Sequence, residues 1–275
     1  MSAPKEISVS SPVKKLGVIA GSGTLPRDLY FACREQGIEC FIVGFKSHTN
    51  YLKADFWSSI SKSSQILDYF KENDVQDLIF IGGVSRPSLL NLRPDWVTFK
   101  FFFKSFFKSF GDSSLLDAAR NEMESMGFTM HGIHEFLPDL LMPVGVLGQI
   151  DVPDNNQQDI EVGVKAAKIH GQDDLGQAVL VCDGQVIATE SSRGTNHMIE
   201  NYGREGAVLV KMCKPQQDYD MDLPTIGSNT VRLCVSKGVV GIVGEAGATL
   251  MADQGRAVTL ANQNNIFIVG YAYHG

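Results

Sequence analysis

Disulfide chemistry, membrane spans and an excess of positive charge are all missing from this sequence, and each absence narrows what the chain can be. The five cysteines, Cys33, Cys40, Cys182, Cys213 and Cys234, are odd in number and scattered, with no C-x-x-C pair. That pattern offers no disulfide framework and fits a reduced cytosol. No stretch approaches the roughly 20 apolar residues of a spanning helix. The first residues, MSAPKEISVSSPVKK, lack the apolar run of a signal peptide. The expectation is a cytoplasmic chain, neither exported nor threaded through a membrane. Lys and Arg number 24 against 31 Asp and Glu, a net charge of −7. Binding to DNA or RNA rests on phosphate neutralisation, so nucleic acid is not expected as a partner. An acidic chain that handles a phosphorylated ligand needs a local positive patch or a metal ion.

What is present is a core-forming chain of 275 residues, 44% hydrophobic, long enough for about two domains. Residues 16–20 (LGVIA) form an apolar run followed by Gly21-Ser22-Gly23, and Asp28 to Gln36 reads as a helix closed by Gly37. Runs at 39–43 and 78–81, with a helix-compatible segment from Ser64 to Glu72 between them, continue the alternation. Strands alternating with helices predict a parallel sheet covered on both faces. The fold class is therefore α/β, with a Rossmann-like N-terminal lobe over residues 1–148 and a mixed α/β lobe over 149–275. The polar stretch DVPDNNQQD (151–159) is the expected linker. Beyond it, AVLVC and QVIATE flank Asp183-Gly184, a strong hairpin signal. Further strands are expected at 207–212, 239–243 and 266–270, with a helix from Asn229 to Lys237 ended by Gly238. The chain contains no internal repeat.

Several motifs invite chemistry. The turn Gly21-Ser22-Gly23 after the first strand resembles a dinucleotide turn, but Pro26 stands where the third glycine belongs and the second strand ends without an acidic residue. An NAD site is disfavoured; a phosphate contact and a purely structural turn both remain open. His131-Gly-Ile-His134-Glu135 has metal-like spacing, yet a surface loop is the simpler reading. In FKFFFKSFFKSF (99–110), Lys100, Lys104 and Lys108 recur every four residues beside an aromatic face, as in an interfacial helix or a core helix with extended lysines. The stretch from Lys214 to Gly227, KPQQDYDMDLPTIG, carries Asp218, Asp220 and Asp222. If extended, it presents three carboxylates on one side, an arrangement that favours a cation. Lys214 and the N-terminus of the helix that follows could meet an anion there. The alternative is a solvated acidic loop.

Those motifs, together with KLGVIAGSGTLP (15–26), RP (86–87), GDSSLL (111–116), DLGQAVLV (174–181), ESSRGTNHM (190–198) and GIVGEAGATL (241–250), resemble the magnesium-dependent UDP-2,3-diacylglucosamine pyrophosphatase family of lipid A and lipopolysaccharide biosynthesis in Gram-negative bacteria. The resemblance implies a two-domain hydrolase in which water attacks the α-phosphate of a lipid-linked sugar nucleotide, releasing UMP and 2,3-diacylglucosamine 1-phosphate. The acyl chains of that substrate imply work at the cytosolic face of the inner membrane as a peripheral protein, and homo-oligomerisation is compatible with it. Carried over by position, the resemblance implies Asp218, Asp222 and Lys214 as catalytic. It further implies Gly21, Ser22, Gly23, Gly194, Thr195, Thr225 and Gly227 as substrate-binding. Asp218, Asp222 and Glu190 fall as ligands of Mg2+, and Glu245 lies in the matching EAG segment. The chain departs from the family pattern at Asn196, where Asp is usual, and at Asp220, where a basic residue is usual. These departures keep open a non-catalytic sugar-nucleotide or lipid-binding member of the same family.

Overall fold

The computed structural model describes residues 12–46, 48–59, 61–83, 120–217 and 219–274. The aromatic segment with Lys100, Lys104 and Lys108, the matches at 86–87 and 111–116, and Asp218 lie outside the described residues.

The first sheet is parallel throughout. It runs in the order β3 (Phe56–Ser58), β2 (Glu39–Phe45), β1 (Lys15–Ala20), β4 (Asp77–Ile81), β5 (Thr129–Met130). Alternate residues of β1 point to opposite faces. Leu16, Val18 and Ala20 pack with Leu25, Leu29 and Cys33 of α1 (Leu25–Glu35), whereas Ile19 joins Ile66, Leu67 and Phe70 of α2 (Ser63–Glu72). Both faces are covered, which is why β1 reads as one unbroken apolar run. Helix α1 starts at Leu25, earlier than the expected Asp28, because Pro26 supplies a helical φ in a first turn that needs no N–H from it. β3 and β5 are too short for their sequences to announce them.

The second sheet has the order β6 (Gly145–Leu147), β13 (Phe267–Tyr271), β11 (Gly241–Glu245), β9 (Val208–Lys211), β7 (Ala178–Cys182), β8 (Gln185–Thr189). β9, β11 and β13 are parallel; β6, on the amino-terminal side of the expected 148/149 division, pairs antiparallel with β13. Asp183 and Gly184, both at positive φ, form the β7–β8 turn as their sequence predicts. One face carries α4 (Gln157–Gln172); the other carries α5 (Gly194–Tyr202), α6 (Ser228–Lys237) and α7 (Gln254–Gln263). Helix α6 ends at Gly238 in the left-handed conformation, as read from sequence.

Helix α4 corrects the expected linker. Residues 154–156 form a 3-10 turn and the helix begins at Gln157. The polar residues that suggested a loop are used inward. Asn156 Nδ2 donates to Asp159 Oδ2 at 3.0 Å, and Gly184 N–H donates to Asp159 Oδ1 at 2.6 Å. The helix start is thereby fastened to the β7–β8 hairpin.

The lobes share one buried cluster. Leu223, Leu250 and Ala252 pack with Leu25, Leu29 and Ile81 of the first lobe, through Phe136 of α3 (Ile133–Phe136) and Leu140. A two-stranded parallel ribbon, β10 (Thr225–Ile226) with β12 (Leu250–Met251), presents these residues. His131 clamps the first-lobe side. Its Nε2 lies 2.8 Å from Asp77 Oδ1 and its Nδ1 2.9 Å from Glu135 Oε2. Burial alone would push this imidazole down, but hydrogen bonds and charge from Glu135 and Asp77 outweigh it and hold His131 above its ordinary value. A raised histidine stabilises the fold fully below its unfolded pKa near 6.5 and loses that contribution as pH climbs through the folded value. The melting-temperature gap between the parent protein and His131→Asn is therefore expected to narrow from about pH 6 to about pH 9. A gap that does not change with pH would mean that the clamp is uncharged.

Candidate functional site

Ligands of open α/β sheets collect at the carboxyl ends of parallel strands, and the titratable groups of the second lobe gather at that edge. Strand alternation divides them between two faces. Leu209 packs toward α5–α7 and Val210 toward α4, so Lys211, the last residue of β9, projects to the α5–α7 side.

On the α4 side the charges close on one another. Lys168 Nζ reaches Glu245 Oε2 at 2.7 Å, and the same carboxylate accepts the Cys213 N–H at 2.9 Å. Lys214 Nζ reaches Asp174 Oδ1 at 2.8 Å, just beyond the end of α4. Burial, reinforced by Glu245 and opposed by Lys168, pushes the Cys213 thiol up to about 11, so it is protonated near neutrality.

On the α5–α7 side the charges are held by neutral partners. Glu190 is buried; its Oε2 accepts the Gln177 N–H at 2.8 Å and its Oε1 accepts the Thr195 hydroxyl at 2.6 Å. Asp222 Oδ2 accepts from Gln217 Nε2 at 2.8 Å. Lys211 is buried and donates to the Thr225 carbonyl at 3.2 Å. Burial holds its ammonium below the ordinary lysine value, a lowering that the negative charges of Glu190 and Asp222 offset only in part.

Other expected site residues fall as follows. Gly194 opens α5 at φ +84, a conformation that glycine adopts without strain, and Thr195 follows it. Asn196 is exposed in the same turn. Gly227 stands immediately before α6, whose Ser228 N–H is taken by Asp253 Oδ1 at 3.0 Å. The end of α6 expected to receive an anion therefore already holds a carboxylate. Gly21, Ser22 and Gly23 belong to the first lobe, where the turn crosses the segment after β4. Ser22 and Gly83 form an antiparallel bridge, and a Cβ on Gly21 would lie 2.5 Å from the Gly83 carbonyl oxygen. Gly23 N–H donates to Asn50 Oδ1 at 3.3 Å. This turn and the acidic motif flank the shared cluster, through Leu25 and Leu223 respectively.

The acidic motif is not the extended ladder its spacing suggested. Residues 219–221 form a turn that sends Asp220 away from Asp222. Asp220 Oδ2 meets Arg120 at 2.8 Å, and its Oδ1 lies 3.7 Å from His134. Asp220 with His134 and Glu135 forms a set whose ligand atoms lie within 4.8 Å of one another. Arg120 and His131 already engage two of those carboxylates. Sequence reasoning missed Lys211, Lys168 and Asp174. The signal for Lys211 was present, since a lysine ends the apolar run AVLV at a position where alternation demands an inward side chain.

Carboxylate oxygens from Glu190 and Asp222 are the donors that a hard divalent cation accepts, and each carboxylate keeps lone pairs beyond the bonds described. The α4-side pairs are structural by comparison. Removing one partner of a buried pair leaves an uncompensated charge, so Glu245→Gln is expected to cost about 3 kcal/mol in denaturant unfolding. The double variant Lys168→Met with Glu245→Met should recover most of that loss, and additive losses would contradict the pairing.

Residues 15–140 match the family model of the LpxI N-terminal domain and residues 143–269 that of the LpxI C-terminal domain. A curated protein of Caulobacter vibrioides, UDP-2,3-diacylglucosamine pyrophosphatase LpxI, is 31% identical over 275 aligned positions, covering 94% of this chain and 98% of its own. Among solved structures, N5-carboxyaminoimidazole ribonucleotide synthetase from Thermotoga maritima overlaps 66% of this chain and 42% of its own. Its TM-score of 0.24 and 13% identity are too slight to bear on fold or function. Two consecutive family domains and a relative matched over nearly its whole length identify the chain as a member of the LpxI family.

Proposed function

We propose that this chain hydrolyses the pyrophosphate of UDP-2,3-diacylglucosamine, releasing UMP and 2,3-diacylglucosamine 1-phosphate, with Mg2+ as cofactor. Family membership supports the reaction class. The observation that carries the reading to particular residues is that Glu190 and Asp222 are held by neutral donors, while Lys211, buried at the end of β9, donates to Thr225 in the segment that carries Asp222. Asp218, Asp222 and Glu190 would hold the ion, which when bound supplies Lewis acidity toward the phosphates and a lowered pKa for water.

The chain's own residues prepare that centre. The Thr195 hydroxyl and the Gln177 N–H fix the two oxygens of Glu190, and Gln217 fixes one oxygen of Asp222, so the carboxylates need not reorganise when charge develops. Lys214 adds positive charge to the same strand edge, moderated by its pair with Asp174. Gly21, Ser22 and Gly23 with Gly194, Thr195, Thr225 and Gly227 are assigned to substrate contact. We also infer two domains divided near residue 148. No helix among the described residues is long and apolar enough to cross a membrane. Access to an acylated substrate is therefore proposed to occur at the membrane surface.

The test is UMP release from UDP-diacylglucosamine with and without Mg2+. Asp222→Asn keeps shape and hydrogen bonding while removing charge, and is expected to reduce turnover at least about a hundredfold. Asp220→Asn, whose carboxylate is turned to Arg120, should lose far less. Equal and small losses in both variants, at unaltered melting temperature, would remove the catalytic assignment of Asp222, whereas a parent protein that releases no UMP would favour the non-catalytic binding protein.

A further inference from the structure

Buried charges on the two faces of the second sheet are handled differently. On the α4 side, Lys168–Glu245 and Lys214–Asp174 are contact pairs at 2.7 and 2.8 Å, each cation neutralised by its own carboxylate. On the α5–α7 side, among the described residues, neither Glu190, Asp222 nor Lys211 makes a contact ion pair. All are held by neutral groups: a backbone N–H, a hydroxyl, a side-chain amide and a carbonyl. Lys211 has three N–H donors, and Thr225 accepts from one.

For stability alone this is a poor arrangement. An ammonium buried against a neutral acceptor bears a desolvation cost that a direct ion pair or an apolar side chain would avoid. What the separation preserves is charge. A lysine locked onto Glu190 or Asp222 would neutralise a carboxylate that a divalent cation needs. A lysine held by a carbonyl leaves both carboxylates available and keeps one positive charge at the strand edge. That charge shifts the loaded centre toward an anionic pyrophosphate, whatever further carboxylates the acidic motif supplies. The acceptor is informative too, because Thr225 lies in the DLPTIG segment three residues after Asp222. Lys211 therefore fastens the acidic segment to the end of β9, while Glu190 is tied to β7 through its N–H to Ala178 O at 2.9 Å.

We propose that Lys211 is a positioning residue of the hydrolytic centre: its ammonium, held by the Thr225 carbonyl, supplies a fixed positive charge that favours the phosphates without occupying either carboxylate. This rests on the reading of Glu190 and Asp222 as cation-holding residues.

The role separates from a structural one by the direction of its effects. Full-length Lys211→Met and Lys211→Gln are compared with the parent protein in three measurements: melting temperature, Mn2+ binding by electron paramagnetic resonance, and kcat and KM for UDP-diacylglucosamine with Mg2+. Lys211→Met removes a charge repulsive to the cation, so Mn2+ should bind roughly tenfold tighter, with a melting temperature at or above the parent's. kcat should nevertheless fall roughly a hundredfold. Lys211→Gln keeps a donor for Thr225 without charge and should show the same loss of kcat. Opposite changes in Mn2+ affinity and kcat support the proposal. Weakened Mn2+ binding together with a lower melting temperature, full rescue by Lys211→Gln, or kcat within about threefold of the parent would overturn it. A parent protein that releases no UMP, yet shows the Lys211→Met gain in Mn2+ affinity, would overturn the hydrolytic reading while leaving the charge centre in place.

Discussion

Every lysine drawn into the carboxyl edge of the second sheet, buried or largely so, must be answered by negative charge, and that requirement organises this half of the molecule. Lys168, Lys211 and Lys214 enter from a helix and from the end of β9. Taking an ammonium out of water costs several kcal/mol unless it is compensated, so the fold brings Glu245, Asp174, Glu190 and Asp222 to the same edge from four separate segments. Parallel β9 and β11 provide the frame, because their carboxyl ends coincide and the segments that follow them meet there. Where compensation is by contact, the result is cement. Where there is no contact pair, Glu190 and Asp222 are held by neutral donors and Lys211 by a carbonyl.

The shared apolar cluster holds the acidic segment at that edge. Leu223 adjoins Asp222 and packs on first-lobe residues, so the acidic segment is clamped between a polar edge and an apolar junction. Its turn is fixed from both sides. Tyr219 donates its hydroxyl to the Gly247 carbonyl and its ring stands edge-on to His134, while Arg120 holds Asp220. The first-lobe clamp at His131 feeds the same junction through α3.

Asp220 shows how a departure from a family pattern can be absorbed. Arg120 pairs with its carboxylate, and the turn keeps that carboxylate off Asp222. Asn196 is exposed at the start of α5, outside the buried bond network of Glu190.

Local signals in the sequence were sufficient wherever one interaction dominated. Continuous apolar runs marked the covered strands, Asp183-Gly184 marked its hairpin, and Gly238 marked a helix end, because each depends on residues adjacent in the chain. The motif resemblance likewise identified the family, since the matching words keep their order along the chain. Tertiary structure decided what no neighbour could. Helix α4 was hidden because Asn156 and Asp159 look like loop residues until Gly184 of the hairpin donates to Asp159, which also accepts from Asn156. Asp220 and Asp222 look equivalent until Arg120 and Gln217 draw them apart. Lys214 looked like the free cation until Asp174 met it, and Lys211 passed as the end of a strand until Glu190 and Asp222 arrived from elsewhere. A sequence displays which groups a chain owns, but the pairing of buried charges depends on distances between segments, and only folding sets those.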